Sequence, residues 1–342
     1  MITFTGHIAS SVLRKQLITT STGWLHSLYV YGNNKLVSAS RDMTGAQKFI
    51  RFNNKEDLTD QTIIAVPYGV DQIIVLNDKA YLCYANAVND QHLRIGEVDL
   101  TTMTLTTVID EVMLGFYPYQ ATACTDGTYL YILCAGSVAE IQRYRISDWT
   151  KTGNYTATGH YGRGHAIIHD GGFLYATSYQ VSTPTGGNPA NNWILKLDAS
   201  TMLVVERNDV SFAGVQTSFS DDMCKVGNYL YIPIEKNTIN AGNVMVMNAN
   251  DLTDYSYITV PEVAAGGLCF GVFYDGNFVY AVFNTTPGLI AKINPLTNTI
   301  VATKTLDSGE NATNELAFDS KGHCFITYWA VSAKVAKYSR LF

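Results

Sequence analysis

The chain has 342 residues, 47% of them hydrophobic and only 15% charged. That composition excludes a disordered chain and supports a large buried core. With 23 basic against 29 acidic side chains and a net charge of −6, there is no cationic excess to hold a phosphate backbone. Nucleic acid is therefore not an expected partner.

The first residues, MITFTGHIASSVLRKQL, place Arg14 and Lys15 after the weak apolar stretch. A secretory leader needs the reverse order. No apolar run reaches the ~18 residues of a membrane helix. The expectation is cytoplasmic synthesis without a signal peptide and without membrane insertion. Cys83, Cys124, Cys134, Cys224, Cys269 and Cys324 are scattered, with no C-x-x-C pair. They read as buried free thiols of a chain folded under reducing conditions.

A turn followed by an apolar, Tyr-rich strand recurs seven times. The copies begin at Asn33, Asp78, Gly127, Gly171, Gly227, Gly276 and Gly322, at spacings of 45, 49, 44, 56, 49 and 46 residues. Strand repeats with a period of ~40–50 residues indicate propeller blades. Asp126-Gly127, Asp170-Gly171 and Asp275-Gly276 are hairpin signals, because Asp and Gly tolerate positive φ in a tight two-residue turn. Each such turn joins an inner strand A to a strand B. About 20 residues further on comes an alternating strand C that ends on Asn or Asp, as in Ile290-Ala291-Lys292-Ile293-Asn294 and Ile194-Leu195-Lys196-Leu197-Asp198. A Thr-rich outer strand D follows, as in Thr299-Ile300-Val301-Ala302-Thr303.

In chain order, the prediction is a closing strand within 1–22, then blades at about 23–66, 67–115, 116–160, 161–212, 213–262, 263–308 and 309–342. The fold class is all-β: a seven-bladed β-propeller of four-stranded antiparallel blades in one domain. After Gly322 the chain has room for strands B and C only. Residues 12–20 alternate and are expected to supply the missing strand D of blade 7, which would remove an open sheet edge and lock the ring.

Turns such as Asn294-Pro295-Leu296-Thr297-Asn298 and Asp198-Ala199-Ser200-Thr201 resemble those of YVTN-type, surface-layer-like propellers. The Tyr-Val-Thr-Asn signature itself is absent, as are the WD40 Gly-His/Trp-Asp pairing and the double glycine of kelch blades. The resemblance implies the fold and no chemistry, because propellers host unrelated functions.

Strand A of each blade lines the central channel. Seven residues before each anchor stand His26, Asp71, Gln120, Gly164, Ser220, Cys269 and Glu315, with His165 and Asp221 close by. If the protein is an enzyme, a lyase or lactone hydrolase, then His26, Asp71, His165 and Glu315 at this channel mouth are its expected acid–base groups. No cofactor is expected beyond a divalent cation held there. The competing expectation is a hydrated channel with polar walls. His165 and His169 are four apart, but on a strand that is ~13 Å, too far for one shared metal. No nucleophile, zinc, P-loop or dinucleotide motif is present.

The long B–C loops, 180–192, 236–243 and 40–47, would share a face with that mouth. Loops on a rigid frame are where binding usually resides. Their polar residues Thr183, Thr185, Asn188, Asn191, Asn237 and Asn243, with Gln120 and Asp221 at the mouth, are the expected contacts to a protein partner or a glycan. Trp149 at a C–D turn is expected to pack rather than to stack on a ligand. The resulting functional expectation is a non-catalytic scaffold in a large assembly such as a phage virion, as a tail or capsid accessory protein.

Overall fold

A computed structural model describes residues 15–19, 25–32, 35–40, 48–85, 92–113, 116–136, 139–157, 163–179, 192–210, 218–219, 222–236, 243–263, 267–311, 313–328 and 334–342. Among them there is no helix. The strands form seven antiparallel sheets, each ordered A-B-C-D. Blade 1, for example, runs Leu25–Tyr31, Lys35–Ser40, Phe49–Asn54 and Asp60–Ala65. In blade 5 strand A is broken into Ser218–Phe219 and Cys224–Val226. Blade 7 takes strands A to C from Thr313–Phe318, Cys324–Tyr328 and Lys334–Tyr338, and strand D from Lys15–Thr19. That last strand pairs antiparallel along its full length, from Lys15 opposite Tyr338 to Thr19 opposite Lys334.

The core lies between blades rather than at the centre. One hydrophobic cluster joins Ile50 and Phe52 of blade 1 to Leu82 and Val98 of blade 2. Another joins Tyr131 of blade 3 to Leu174 and Trp193 of blade 4. A third joins Val282 of blade 6 to Ile326 of blade 7. In strand B, Tyr131 and Tyr231 are buried between blades, while Tyr229, on the same face as Tyr231 but at the start of the strand beside the A–B turn, is exposed. All six cysteines are free thiols. Burial pushes the Cys83 and Cys269 thiols well above the ordinary range.

Two turn types build the repeat. In five C–D turns the amide of residue i+4 donates to the carbonyl of residue i: Leu58 to Asn54, Met103 to Asp99, Trp149 to Arg145, Met202 to Asp198 and Asn298 to Asn294. All five i+4 residues are left-handed. Four are large and apolar, and they fill the gap between blades. Trp149 meets the edge of Tyr81 at 5.3 Å between ring centroids, which is the packing role expected of it. Burial there offsets the cost of positive φ.

The A–B turns differ from the uniform hairpins expected. Of the three Asp-Gly pairs, only Asp170-Gly171 opens a two-residue turn, with Asp170 opposite Phe173. Asp126 and Asp275 instead head four-residue loops. There one carboxylate oxygen accepts two following amides, and the other accepts the strand B tyrosine hydroxyl, Tyr131 or Tyr280, at 2.8 Å. An Asp that can satisfy three donors no longer needs the tight turn.

The seam between blades 7 and 1 is reinforced by charge. Lys55 and Asp319, both buried, pair at 3.1 Å. Burial opposes ionisation of Asp319, but hydrogen bonds from the His323 amide and ring, from Lys55 and from the Lys321 amide outweigh it and hold the carboxyl at about 2. Lys337 donates to the Glu56 carbonyl at 3.0 Å and to its carboxylate at 3.1 Å.

Gly96 is required by packing. A Cβ on Gly96, in strand C of blade 2, would stand 2.3 Å from the hydroxyl of the buried Tyr84. Gly96→Ala is expected to destabilise by about 1–3 kcal/mol, the usual cost of overpacking. Calorimetric melting checks this. Tyr84→Phe in the same chain, which removes the nearest atom, should restore part of the loss.

Candidate functional site

The inner strands share a local defect. Strand A carries a β-bulge at the same level in blade after blade. The register slips between Leu25 and Ser27, Val70 and Gln72, Gly164 and Ala166, and Cys269 and Gly271. The extra residues are His26, Asp71, His165 and Phe270. In blade 7 the slip lies between Thr313 and Leu316 and takes in Asn314 and Glu315. In blade 3 it lies between Phe116 and Ala121 and takes in Gln120. A bulge leaves its extra residue out of the ladder and re-aims the side chains around it. Counting seven residues back from each anchor therefore reaches the slipped stretch in blades 1, 2, 3 and 7. It overshoots by one residue in blades 4 and 6, landing on Gly164 and Cys269. Cys269 is core, packed in the cluster of blades 4 to 6.

A buried threonine of strand B satisfies backbone near the bulge. Ala166 N donates to Thr177 Oγ1 at 3.1 Å and Glu315 N to Thr327 Oγ1 at 3.2 Å. The inner side chains then stitch one blade to the next. Ser27 Oγ accepts the Ile73 amide at 2.9 Å, and Asp71 Oδ2 accepts the Ala121 amide at 2.9 Å. Gln72 Oε1 accepts the Ala123 amide. The Val272 amide donates to the Asp222 carbonyl at 3.1 Å, and Asn314 Nδ2 to the Leu25 carbonyl at 3.2 Å.

Inside this ring is a cavity of about 250 Å³. Asp71, Asp222 and Glu315 line it together with Ser27, Gln72 and Thr122. Asp71 and Glu315 are 4% and 8% exposed. Of the four residues proposed as acid–base groups, the fold thus brings these two to one space. His165 is buried in its bulge, and no described residue of blade 4 lines that cavity. His169 stacks on Tyr131, nearly parallel at 5.9 Å between centroids. His26 and Gln120 stand in strand A of blades 1 and 3, and their side chains lie outside the described residues. So do Asp221, Thr183, Thr185, Asn188, Asn191 and Asn237 altogether. Asn243 is described. It is 2% exposed, and its side-chain oxygen accepts the Thr259 hydroxyl at 2.8 Å, tying strand C of blade 5 to strand D. Among the described residues no three His, Cys, Asp or Glu side chains converge as a set that could hold a metal ion.

Asp222, read beside Asp221 at the channel mouth, also lines this cavity, and so does Thr122, which sequence reasoning passed over. Asp222 was visible as a second aspartate beside Asp221. Thr122 carried no signal, because strand A of blade 3 is Ala- and Thr-rich throughout. Beyond the cavity, toward the A–B turns, the channel widens into a depression of about 600 Å³ lined by Tyr29, Phe273, Tyr274 and Phe318 among others.

Comparison with protein-family models and with curated proteins gives no match. Among solved structures, hydrazine synthase from Kuenenia stuttgartiensis is similar, with a TM-score of 0.71 over 96% of this chain and 98% of that one. The two sequences are 14% identical. A likeness at that identity speaks for architecture alone, and with the strand order it makes this chain a seven-bladed β-propeller.

Proposed function

We propose that the chain is a non-catalytic scaffold that binds a protein partner or a glycan through the face carrying its B–C loops, as a component of a larger assembly such as a phage virion. A propeller suits a scaffold or binding role, since a rigid ring presents loops from every blade on one face. The observation that carries the non-catalytic reading is the stitching around the channel. Ser27, Asp71, Gln72 and Asn314 are spent on the backbone of the neighbouring blade, which is work for the fold. Kinship with surface-layer-like propellers, drawn from the C–D turns, belongs to the same proposal.

The sharing of one cavity by Asp71 and Glu315 favours a second reading, a lyase or lactone hydrolase. That reading needs a third group at the site, and His165 does not line the cavity.

The test is to fractionate source material on a density gradient and follow this chain by mass spectrometry. Co-sedimentation with a large particle at fixed stoichiometry is the expected result. Recovery only as the free 37.6 kDa chain would remove the assembly from the proposal. A turnover activity lost in Glu315→Ala would replace the scaffold with the enzyme.

A further inference from the structure

Four blades carry a basic side chain at one position of strand C, opposite an aromatic residue of strand B. The pairs are Arg143 with Tyr131, Lys196 with Tyr175, Lys292 with Tyr280 and Lys337 with Phe325. Three of these cations do the same work. Each donates to a carbonyl in the C–D turn of the next blade. Arg143 Nη1 reaches Ala199 at 2.7 Å, Lys196 Nζ reaches Ala249 at 2.8 Å and Lys337 Nζ reaches Glu56 at 3.0 Å.

Lys292 is the exception, because the blade after it is blade 7. There strand D comes from Lys15–Thr19, so no C–D turn joins it to strand C and no turn carbonyl stands opposite Lys292. Its ammonium lies 3.9 Å from the centroid of the Phe278 ring and 5.7 Å from that of Phe342. Ring faces attract a cation, but they leave its three N–H donors without an oxygen. Beside it, between blades 6 and 7, is a cavity of about 230 Å³, walled by Tyr280, Phe318 and Phe342. Arg340 brings a second cation to the same space. Lys292 is half-buried and Arg340 exposed. Among the described residues no oxygen accepts a hydrogen bond from either.

The lining also limits what fits. Asp275 lines the cavity, but its two oxygens already accept the Asn277 and Phe278 amides and the Tyr280 hydroxyl. Two cations against one carboxylate leave the cavity short of a single negative charge. A carboxylate supplies that charge, with one oxygen for the guanidinium and one for the ammonium. A phosphate dianion exceeds it. The space lies below the ~300–1,000 Å³ of sites for drug-sized ligands, and its three aromatic walls suit a small flat apolar body.

We propose that this cavity is a binding site for a monocarboxylate on an apolar or aromatic body, with Lys292 and Arg340 donating to its two oxygens. The carboxylate takes the part that a turn carbonyl of the next blade plays for Arg143, Lys196 and Lys337. The site is at the C–D-turn end, opposite the B–C loops, and stands whether or not those loops bind a partner. Its chemistry is met by a small free acid or by a glutamate side chain of another protein.

The experiment is a saturation-transfer NMR titration of the full chain with sodium benzoate at constant ionic strength. Benzyl alcohol is titrated alongside, and inorganic phosphate is added as a competitor. Saturable binding of benzoate is expected, with none of the alcohol and no displacement by equimolar phosphate. Lys292→Met and Arg340→Gln should each weaken it on the order of tenfold through loss of a charge-assisted hydrogen bond. Melting curves separate the site from the fold. Lys292→Met should leave the melting temperature nearly unchanged, since no carbonyl depends on that ammonium. Lys196→Met, which strands the Ala249 carbonyl, should lower it clearly while leaving benzoate binding intact. If Lys292→Met does not fold, the exposed Arg340→Gln decides. A short acetylated, amidated peptide with one glutamate separates the two sources. Tighter binding of the peptide than of benzoate points to a partner's side chain, and the reverse to a free acid. The proposal is overturned by absence of saturable binding of either carboxylate, by benzyl alcohol binding as well as benzoate, by displacement with equimolar phosphate, or by an affinity unchanged in both site variants.

Discussion

Deleting residues 1–20 is expected to lower the melting temperature by on the order of 5–10 °C. The deletion removes the strand Lys15–Thr19, which supplies the outer strand of blade 7. Its five paired positions all face Lys334–Tyr338. At ~0.5–1.5 kcal/mol net for each backbone hydrogen bond, their loss is a large share of a stability that is ~5–15 kcal/mol in all. The deletion also leaves the strand Lys334–Tyr338 with a bare edge, ready to pair with another chain. Calorimetry gives the first effect, and light scattering at raised concentration gives the second. A permuted chain carrying residues 12–22 after Phe342 through a short Gly-Ser linker offers the same strand from the other terminus. It should recover most of the lost melting temperature. If the truncated protein melts like the full chain, the seam is held by something else, for which Lys55–Asp319 and Lys337–Glu56 are the first candidates.

The architecture was legible because a propeller repeats its local rules. A Tyr-rich strand after a Gly turn, then an alternating strand ending in Asn or Asp, recurs often enough for seven degenerate copies to support one another. The closing strand followed from a shortage of sequence after Gly322 together with the alternation of residues 12–20. Other details had no local signal. The bulges in strand A come from a mismatch between two paired strands, and Thr177 and Thr327 look like ordinary strand residues. The left-handed Leu58, Met103, Trp149 and Met202 run against conformational preference, so propensity points away from them; the inter-blade gap that they fill is visible only in the ring. Lys55 and Asp319 meet across the seam from opposite ends of the chain, a pairing that only ring closure creates. At the candidate site the same logic holds. Asp71 and Glu315 were found by position in the repeat. That they share a cavity with Asp222 and Thr122 depends on the tilt and bulging of six inner strands.

Glu310→Ala is expected to destabilise by about 3–5 kcal/mol, among the largest effects of any single side chain in the molecule. Glu310 lies in the connection from blade 6 to blade 7 and is buried. Its Oε1 accepts the Tyr328 hydroxyl at 3.0 Å, and its Oε2 accepts the Tyr338 hydroxyl and the Asp307 amide, both at 2.9 Å. Its carbonyl accepts the Gly288 amide at 2.7 Å, which pins blade 6 to the same point. Alanine keeps the backbone bond but strands two buried phenols and an amide. Glutamine discriminates between lost charge and lost acceptors. Its carbonyl oxygen can take the place of Oε2, where the Asp307 amide can only donate. Its NH₂ then faces Tyr328, whose hydroxyl can rotate and accept. Glu310→Gln should therefore recover most of the loss, and Tyr328→Phe should cost less than Glu310→Ala because it removes a donor instead of the acceptor. Urea unfolding of the three variants gives the order. Were alanine and glutamine equally destabilising, the ionised carboxylate, and not the number of acceptors it offers to Tyr328, Tyr338 and Asp307, would be what holds the blade junction.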